Sequence, residues 1–450
     1  MPLSPADSRS DRNLLHQRGS AQTSTDEPST TKETFMTAPT GATVRAHHRT
    51  SLVDRAREIA PVVAKYAADN DAHRVVADEA VQAMVDCGLT RALQPARYGG
   101  EEAHPVEFVE AVIEVAKSCT STGWVLMLLG VHNWEVSHMT EQLQDELFGD
   151  DPTTLLSSSY APHGTATPVE GGYILNGSWK SSSGVTHASW VILGASVEAD
   201  GKPLMHNFVV PLAEGRIIDD WFVLGMRGTG SRSVELDQVF VPAHRALDRQ
   251  ILLAQAGPGL KKNDGPLYRV PQGYLYNLVA GAPALGAGWA FYEEYVDQLK
   301  KFTRRFDNAK LSEDRVELLR TNDVRVRLDD QQKVALRILD EGYRLAELGQ
   351  VPGDLEAARG IYDAARTAEA ALYVAQQLMP TMSARVVHEL NPLSRLYRDL
   401  IVARQHFTQN TDFAAATAAN LEMGNPAAAT FLLSEAERTA AADRSKRLYG

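Results

Sequence analysis

Two short clusters of serine hydroxyls in the middle of the chain have the residue types of a ligand-binding wall. The first cluster, SSSY, contains Ser158 and Ser159, and the second, WKSSSG, contains three consecutive serines that end at Ser183. In an extended strand Ser181 and Ser183 face one side and Ser182 faces the other. A solvent-exposed strand edge is one interpretation. The other is a wall for a planar heteroaromatic ligand, because each buried ring nitrogen or carbonyl of such a ligand needs a hydrogen-bond partner.

Two histidines are the candidates for proton transfer. His132 follows the apolar run LMLLG and lies close to Trp134, and His406 lies in the segment RDLIVARQHF of a predicted C-terminal helix. An imidazole changes its protonation near neutral pH and therefore suits a general base. A structural or exposed helical histidine is the alternative in both cases. His163 and His187, in predicted loops near the serine clusters, are weaker candidates.

The sequence lacks the motifs of several common kinds of site. HExxH, paired CxxC, GxSxG and a Walker loop are absent, so no metal site, serine-hydrolase elbow or P-loop is predicted. The net charge of -12 argues against a general nucleic-acid surface. The only cysteines, Cys87 and Cys119, lie in apolar helical patterns, which favours a reducing cytoplasm. The most apolar stretch, TGWVLMLLGV, is too short to span a bilayer.

The hydrophobic period divides the chain into helical and β regions. Apolar residues recur at three- and four-residue spacing on both sides of a central region, where the period changes to two and glycine-containing turns separate short strands. This order predicts an α+β fold with a small antiparallel barrel or sandwich between helical layers. The first residues, rich in Ser, Thr, Asp, Arg and Gln, are predicted to be disordered, and Met36 is an alternative start. The predicted boundaries are 1–48 for the disordered tail, 49–153 for an N-terminal helical domain, 154–262 for the β-domain and 263–450 for a C-terminal helical domain.

Two further patterns concern the turns and helices of these regions. The segment GMRGTG has the spacing G-x-x-G-x-G, and a strand follows it where the dinucleotide fingerprint has a helix. From local residues alone it is therefore predicted to be a glycine-rich turn between strands. The helical period of the C-terminal region predicts long segments at 276–303, 323–349, 354–379 and 393–420.

Taken together, these segments resemble a known family. LNGSWKSSSG and GMRGTGSRSVELDQVFVPAHR, placed between helical regions, are similar to the acyl-CoA dehydrogenase superfamily from about residue 50 to the C-terminus. GVHNW, NGSWKSSSG and NPLSRLYRD followed by QH resemble its flavin-dependent monooxygenase branch, the oxygenase components of two-component (group D) aromatic hydroxylases. The resemblance implies the acyl-CoA dehydrogenase fold, with a four-helix bundle as its C-terminal domain. It also implies that reduced flavin, FMNH2 or FADH2, reacts with O2 through a C4a-hydroperoxyflavin to hydroxylate a small phenolic or indolic substrate.

The resemblance assigns flavin-binding roles to the serine clusters and to an arginine pair. Ser183 matches the strand position whose hydroxyl and backbone approach the flavin N5, where it has a catalytic role. Ser158 matches a serine at the flavin ring and at the oxygen adduct. Short hydroxyls suit this position because they hydrogen-bond the ring without supplying a strong acid. The implied flavin-binding set is Ser158, Ser159, Ser182, Ser183, Arg304 and Arg305, with one of the two arginines at the flavin phosphate.

The resemblance also assigns the substrate side. His132 matches a histidine that faces the substrate, with Trp134 beside it, and His406 matches the histidine proposed as base toward the substrate hydroxyl. Relatives often carry two adjacent histidines where this chain has Gln405 and His406, and an earlier histidine where it has Ile401. These departures bear on the substrate and on the base.

The implied partners are a separate NAD(P)H:flavin reductase, since no NAD(P)H fingerprint is present, and three further copies of the chain in a homotetramer. Neither nucleic acid nor a membrane is an expected partner. An acyl-CoA dehydrogenase is one alternative, but the C-terminal region lacks the tyrosine-glutamate-glycine stretch that carries its base. An N-oxygenase acting on an amine is a second alternative, and a non-catalytic helical scaffold is a third.

Overall fold

The structure is a computed structural model that describes residues 50–199, 202–303, 308–425 and 432–450. The predicted disordered tail and the predicted phosphate-binding pair Arg304 and Arg305 lie outside the described residues. Within these residues, none of the helices is long and apolar enough to cross a membrane. Cys87 and Cys119 are both free thiols.

The N-terminal region is helical because apolar residues line one face of each segment and polar caps begin several of them. The Ser51 side chain accepts a hydrogen bond from the Asp54 N–H at the start of the first helix, and Thr140 caps the sixth in the same way. The helices are α1 Leu52–Lys65, α2 Ala67–His73, α3 Asp78–Asp86, α4 Pro105–Ser118, α5 Thr120–Val136 and α6 Glu141–Phe148. Helix α5 is buried on every side except at Leu128, since it packs against α4, the sheet and a long helix of the C-terminal region.

A seven-stranded sheet follows, in the order β5–β6–β2–β1–β3–β4–β7. The strands are β1 Leu156–Val169, β2 Gly172–Ser182, β3 Trp190–Ala199, β4 Lys202–Pro211, β5 Arg216–Ile218, β6 Arg232–Pro242 and β7 Ala246–Asp248. Trp179 anchors the buried face, where its indole N–H donates to the Gly194 carbonyl at 2.7 Å. The ring lies so close to Gly164 that a Cβ at that glycine would meet it at 2.0 Å.

One pairing differs from the antiparallel sheet that the sequence predicts. Strands β1 and β3 are parallel, whereas the other pairs are antiparallel. The cause is the connection after β2, residues 183–189, which carries the chain across to the free edge of β1 instead of forming a second hairpin. The sheet is therefore mixed, and the crossing segment brings Ser183 to the end of the sheet that faces α5.

The C-terminal region is again helical. Its elements are α7 Arg249–Leu253, α8 Gln272–Lys301, α9 Arg315–Glu347, α10 Asp354–Leu378, α11 Pro392–Ala403, α12 Thr411–Glu422 and α13 Glu435–Tyr449. Helix α8 has no charged residue before Glu293, and its first seventeen residues are all buried between α4, α5, α10 and α11. The predicted α+β class and acyl-CoA dehydrogenase-like architecture are confirmed. The domain boundaries remain a prediction.

The fourth predicted C-terminal helix, 393–420, is wrong as a single element. It is broken into α11 and α12, because Asn410 caps a new helix by accepting a hydrogen bond from the Phe413 N–H. His406 therefore lies in the connection between two helices and not within a helix. This break turns the histidine toward the cavity described below.

Candidate active site

A cavity of about 460 Å³ lies where the helical regions meet the sheet. Its walls come from one face of α5, the first half of β1, the end of β2 with Ser183, the turn that precedes β6, the start of α8 and the α11–α12 connection. A volume of this size is in the range of small-molecule sites. Segments far apart in the sequence are thus brought to one enclosed space.

The helix wall of the cavity is apolar. Trp124, Met127, Leu128 and Val131 of α5 all line it, and their spacing of three and four residues places them on one helix face. Ala280 of α8 extends this wall. Such a surface excludes water and packs against the face of a flat ligand.

A second wall of the cavity, next to the helix wall, carries hydroxyl groups that are joined by a chain of hydrogen bonds. Thr229 donates to the Met226 carbonyl at 2.8 Å, and the Ser231 hydroxyl lies 2.6 Å from that of Thr229. Ser231 is 2.7 Å from Ser183, which also accepts from the Trp124 indole N–H at 3.1 Å. Because each hydroxyl has one proton, Ser231 must donate to Thr229 and Ser183 must donate to Ser231. Ser183 therefore presents an acceptor, and not a donor, to a ligand in the cavity.

The other predicted serines divide between the cavity and the sheet. Ser158, Ser159 and Ser181 line the cavity, whereas Ser182 does not. The Ser182 hydroxyl is buried and contacts the Ser157 hydroxyl at 2.8 Å and the Ser158 carbonyl at 3.2 Å. Ser182, assigned to the flavin wall, is thus held inside the sheet. The three serines face the predicted sides, although not by regular alternation, since Ser181 has a φ of 62° and Ser183 lies beyond the end of β2.

The GMRGTG segment is both a strained turn and part of the site. Met226 has a φ of 54° and lines the cavity, a left-handed backbone that non-glycine residues adopt rarely. The buried Asp399 carboxylate of α11 accepts from the Met226 N–H at 2.6 Å and holds the turn. A Cβ at Gly225 would meet the Arg398 carbonyl oxygen at 2.1 Å, so only glycine permits this close approach.

His406 lies on the cavity as predicted, between aromatic rings. Its ring makes an edge contact with Trp124 at a centroid distance of 5.1 Å and packs on Phe407. Its Nδ1 is 2.8 Å from the Thr408 hydroxyl. Burial lowers the pKa of His406 to about 4, so the imidazole is neutral at pH 7 and carries a lone pair.

His132 and Trp134, the other predicted substrate residues, do not line the cavity. Both side chains leave α5 on its flanks, one on each side of the apolar face, because each helical residue turns by about 100°. The Trp134 indole N–H donates to the Leu267 carbonyl at 2.9 Å. His132 Nδ1 lies 2.7 Å from the Leu156 carbonyl and so carries the proton, which leaves Nε2 as a buried acceptor without a partner among the described residues. Burial lowers the pKa of His132 to about 4.

A buried carboxylate at one end of the cavity was missed by the sequence analysis. Glu135 accepts from the Tyr160 hydroxyl at 2.6 Å, from the Tyr276 hydroxyl and from the Asn207 amide at 2.7 Å. Both tyrosines line the cavity. The signal was present in the sequence, since Glu135 is the only charged residue of a helix that is otherwise apolar or uncharged.

Other cavity residues were also missed or given little weight. Ser231 and Thr229 belong to the turn that was interpreted as structural, and His163, a weaker candidate, lines the cavity. Lys180 and Trp221 line it as well. His187 lies elsewhere, with Nδ1 at 3.3 Å from an Asp78 carboxylate oxygen.

The cavity fits the isoalloxazine ring of the flavin that the resemblance implies. Such a ring has two apolar faces and a polar edge of nitrogens and carbonyls. The apolar face of α5 supplies a surface for the ring face. The hydroxyls of β1, of Ser183 and of the turn before β6 supply a surface for the polar edge. Residues for the flavin phosphate were predicted outside the described part of the chain.

Comparison with known proteins identifies the family. Residues 47–146 match the family described as Acyl-CoA dehydrogenase, N-terminal domain, and residues 278–411 match Acyl-CoA dehydrogenase, C-terminal domain. The chain is 33% identical over 377 residues to the flavin-dependent monooxygenase oxygenase subunit HsaA of Rhodococcus jostii (strain RHA1), an alignment that covers 83% of this chain and 98% of the relative.

Two further relatives are similar over most of their length. The oxygenase component of p-hydroxyphenylacetate 3-hydroxylase of Acinetobacter baumannii is 29% identical, with 81% of this chain and 87% of the relative covered. The structure of XiaF from Streptomyces sp. in complex with FADH2 and glycerol has a TM-score of 0.80 at 27% identity, with 85% of this chain and 97% of that chain covered. The hydroxyl-lined cavity and these likenesses agree, and the chain belongs to the flavin-dependent monooxygenases built on the acyl-CoA dehydrogenase fold, as an oxygenase subunit.

Proposed function

We propose that this oxygenase subunit hydroxylates a small aromatic substrate, phenolic or indolic, with reduced flavin and O2. The observation that carries the proposal is the cavity itself, which combines an apolar helix face, a wall of hydroxyls and a neutral imidazole. Bound reduced flavin supplies the electrons with which one oxygen atom enters the substrate and the other becomes water. The relatives named for p-hydroxyphenylacetate hydroxylation support an aromatic substrate.

The serine wall is proposed to hold the flavin. Ser183 is fixed as an acceptor by its bonds to Trp124 and Ser231, which suits an N–H of a reduced flavin better than the bare ring nitrogen of an oxidised one. Ser158 and Ser159 add polar groups on the same wall. Around them the apolar side chains exclude water. As a result, fewer reducing equivalents are lost as hydrogen peroxide.

His406 is proposed to face the substrate. A neutral imidazole with a lone pair accepts a hydrogen bond from a phenol O–H or an indole N–H and thereby orients the ring. The role of His406 as the base stays a prediction. For His132, which lies near Tyr160 and whose Nε2 has no partner among the described residues, we keep the proposal of a substrate-side role.

The assembly and its setting are also proposals. The oxygenase-subunit names of the relatives support a separate flavin reductase as partner. Exposed apolar side chains on the C-terminal helical region support a homotetramer, since Phe407, which lines the cavity, is 52% exposed and Leu390 is 97% exposed. The cytoplasm remains the predicted location.

The test is an assay with reduced flavin supplied by an unrelated reductase, O2 and a panel of phenols, indoles and amines. Hydroxylated phenol or indole that depends on both the reductase and this chain supports the proposal. Oxidation of amines alone would favour an N-oxygenase. Product from neither class would reject the proposed function.

A further inference from the structure

Glu135 occupies a buried position that the function above does not use. Its carboxylate lies behind Tyr160 and Tyr276, and these tyrosines line the cavity while Glu135 itself does not. Both hydroxyls donate to the same carboxylate oxygen, and the Asn207 amide donates to the other. A carboxylate without solvent is costly to bury, and three hydrogen bonds offset that cost.

The protons at this end of the cavity can be assigned by counting donors. Each tyrosine has a single O–H, and that proton is directed to Glu135. The two phenol oxygens are 3.2 Å apart, and neither proton is directed to the other oxygen. The Ser158 hydroxyl also donates to Tyr160, so among the described residues each phenol oxygen keeps at least one lone pair for a ligand. A ligand group that meets Tyr160 or Tyr276 must therefore donate a proton or a hydrogen bond.

Burial, and not the neighbouring charge, favours protonation of the Glu135 carboxylate. Burial raises the pKa of Glu135, although the hydrogen bonds from the tyrosines and Asn207 and the charge of Arg249 act to lower it. Burial and the Glu135 charge raise the pKa values of Tyr160 and Tyr276 well above 10. The tyrosines thus stay protonated and can pass a proton without ionising. The remaining titratable neighbour is His132, whose ring centroid is 6.3 Å from that of Tyr160 and which is neutral.

His406 alone is a poor store for the proton of a phenol. With its pKa lowered to about 4, it holds a proton at pH 7 with an occupancy of only about 0.001. It can accept a hydrogen bond from the substrate but does not retain the proton. A second acceptor in contact with the cavity, such as the Glu135 carboxylate behind Tyr160 and Tyr276, can retain it.

We propose that Glu135 is the final acceptor of the substrate's hydroxyl proton, reached through Tyr160 or Tyr276. The substrate O–H bond breaks as its proton moves to the tyrosine oxygen, and the tyrosine O–H bond breaks as its own proton moves to the carboxylate. The substrate becomes a phenolate, Glu135 becomes neutral and the tyrosine is unchanged. This inference rests on the proposed function for its substrate class, and it predicts selection for aromatics with a free hydroxyl over their methyl ethers.

The experiment measures the ionisation of a bound phenol without flavin. 4-Nitrophenol is titrated with the full-length protein across a range of pH, and its absorbance reports the fraction bound as phenolate. We expect Glu135→Gln, which keeps the shape but cannot take a proton, to raise the apparent pKa of bound 4-nitrophenol by about one unit or more, a tenfold loss of phenolate at a given pH.

A matched control changes the same chemistry outside the cavity. Tyr98 donates to the Asp145 carboxylate on α6, and Asp145→Asn should leave the titration of bound 4-nitrophenol unchanged. If Glu135→Gln does not fold, the double variant Y160F/Y276F removes both relay hydroxyls and should raise the apparent pKa in the same way.

Two outcomes separate the inference from the proposed function. A folded Glu135→Gln or Y160F/Y276F protein that binds 4-nitrophenol with the wild-type apparent pKa overturns the inference, as does a wild-type protein that does not ionise the bound phenol. A wild-type protein that ionises 4-nitrophenol through Glu135 but hydroxylates neither phenols nor indoles supports the inference and rejects the proposed function.

Discussion

Ser183→Ala is the substitution that separates flavin binding from packing most clearly. The Ser183 hydroxyl accepts from the Trp124 indole N–H at 3.1 Å and donates to Ser231 at 2.7 Å. Alanine removes both bonds and leaves the nearly buried indole N–H without this acceptor, which should cost about 1–3 kcal/mol of folding stability. It also removes the acceptor offered to the cavity, worth about 1 kcal/mol to a ligand N–H, or about fivefold in affinity.

The assay compares the reduced and oxidised states of the flavin. Wild-type protein should bind reduced flavin more tightly than oxidised flavin, and Ser183→Ala should narrow that preference by about fivefold. In the reductase-coupled reaction, hydrogen peroxide should rise and hydroxylated product should fall for each NADH consumed. Ser189→Ala, at an exposed serine of the same connection, is the control and should behave like the wild type. Unchanged flavin preference together with unchanged product yield in a folded Ser183→Ala protein would refute the assignment of the serine wall.

Further predictions concern the turn, acid stability and assembly. Gly225→Ala forces a Cβ to 2.1 Å from the Arg398 carbonyl oxygen and should lower the melting temperature and weaken flavin binding, whereas Gly353→Ala, with open space around it, should have a much smaller effect. Burial lowers the pKa of His138 from 6.5 to about 3, so the unfolded chain takes up the proton first, and the free energy of unfolding should fall by about 5 kcal/mol as the pH drops through that window. Denaturant titrations at several pH values should show that His138→Phe, which removes two buried ring nitrogens without partners in the described structure, flattens this dependence. Light scattering should give the mass of a tetramer, and a monomer mass would contradict the proposed assembly. NADH without a flavin reductase should give no turnover, and NADH oxidation by the purified chain would contradict the two-component arrangement.

The local sequence predicted the elements better than their connections. The period-two region and the long apolar helices were recognisable, because burial of one face or of a whole helix fixes the residue pattern. The parallel pairing of β1 with β3 was not, since it depends on how the connecting segment crosses the sheet. The break at Asn410 was also missed, although the N-cap that causes it is a local feature. The hydroxyl wall at Ser183 followed from strand alternation and from the resemblance. The hydrogen bonds that fix the direction of the Ser183 proton could not be predicted, because they depend on the tertiary position of the GMRGTG turn beside Ser183.

Glu135 shows a different limit of prediction from local sequence. Glu135 is visible as a charge within an apolar helix, but its partners Tyr160 and Tyr276 come from a strand and from a helix that are 25 and 141 residues away along the chain. No local spacing joins them. In contrast, Trp134 was assigned to the predicted site because it is close to His132 in the sequence. The 100° rotation per residue of α5 directs its side chain away from the cavity.

The most direct test of the central claim follows the oxygen atom. The protein is mixed with chemically reduced flavin in the absence of oxygen, a phenol is added, and the reaction is started with isotopically labelled O2 so that mass spectrometry can count labelled atoms in the product. A flavin-dependent monooxygenase of this kind should place one labelled atom in each hydroxylated product, with none from water. Complete conversion of the reducing equivalents to hydrogen peroxide, with no labelled product from any phenol or indole in the panel, would contradict the account.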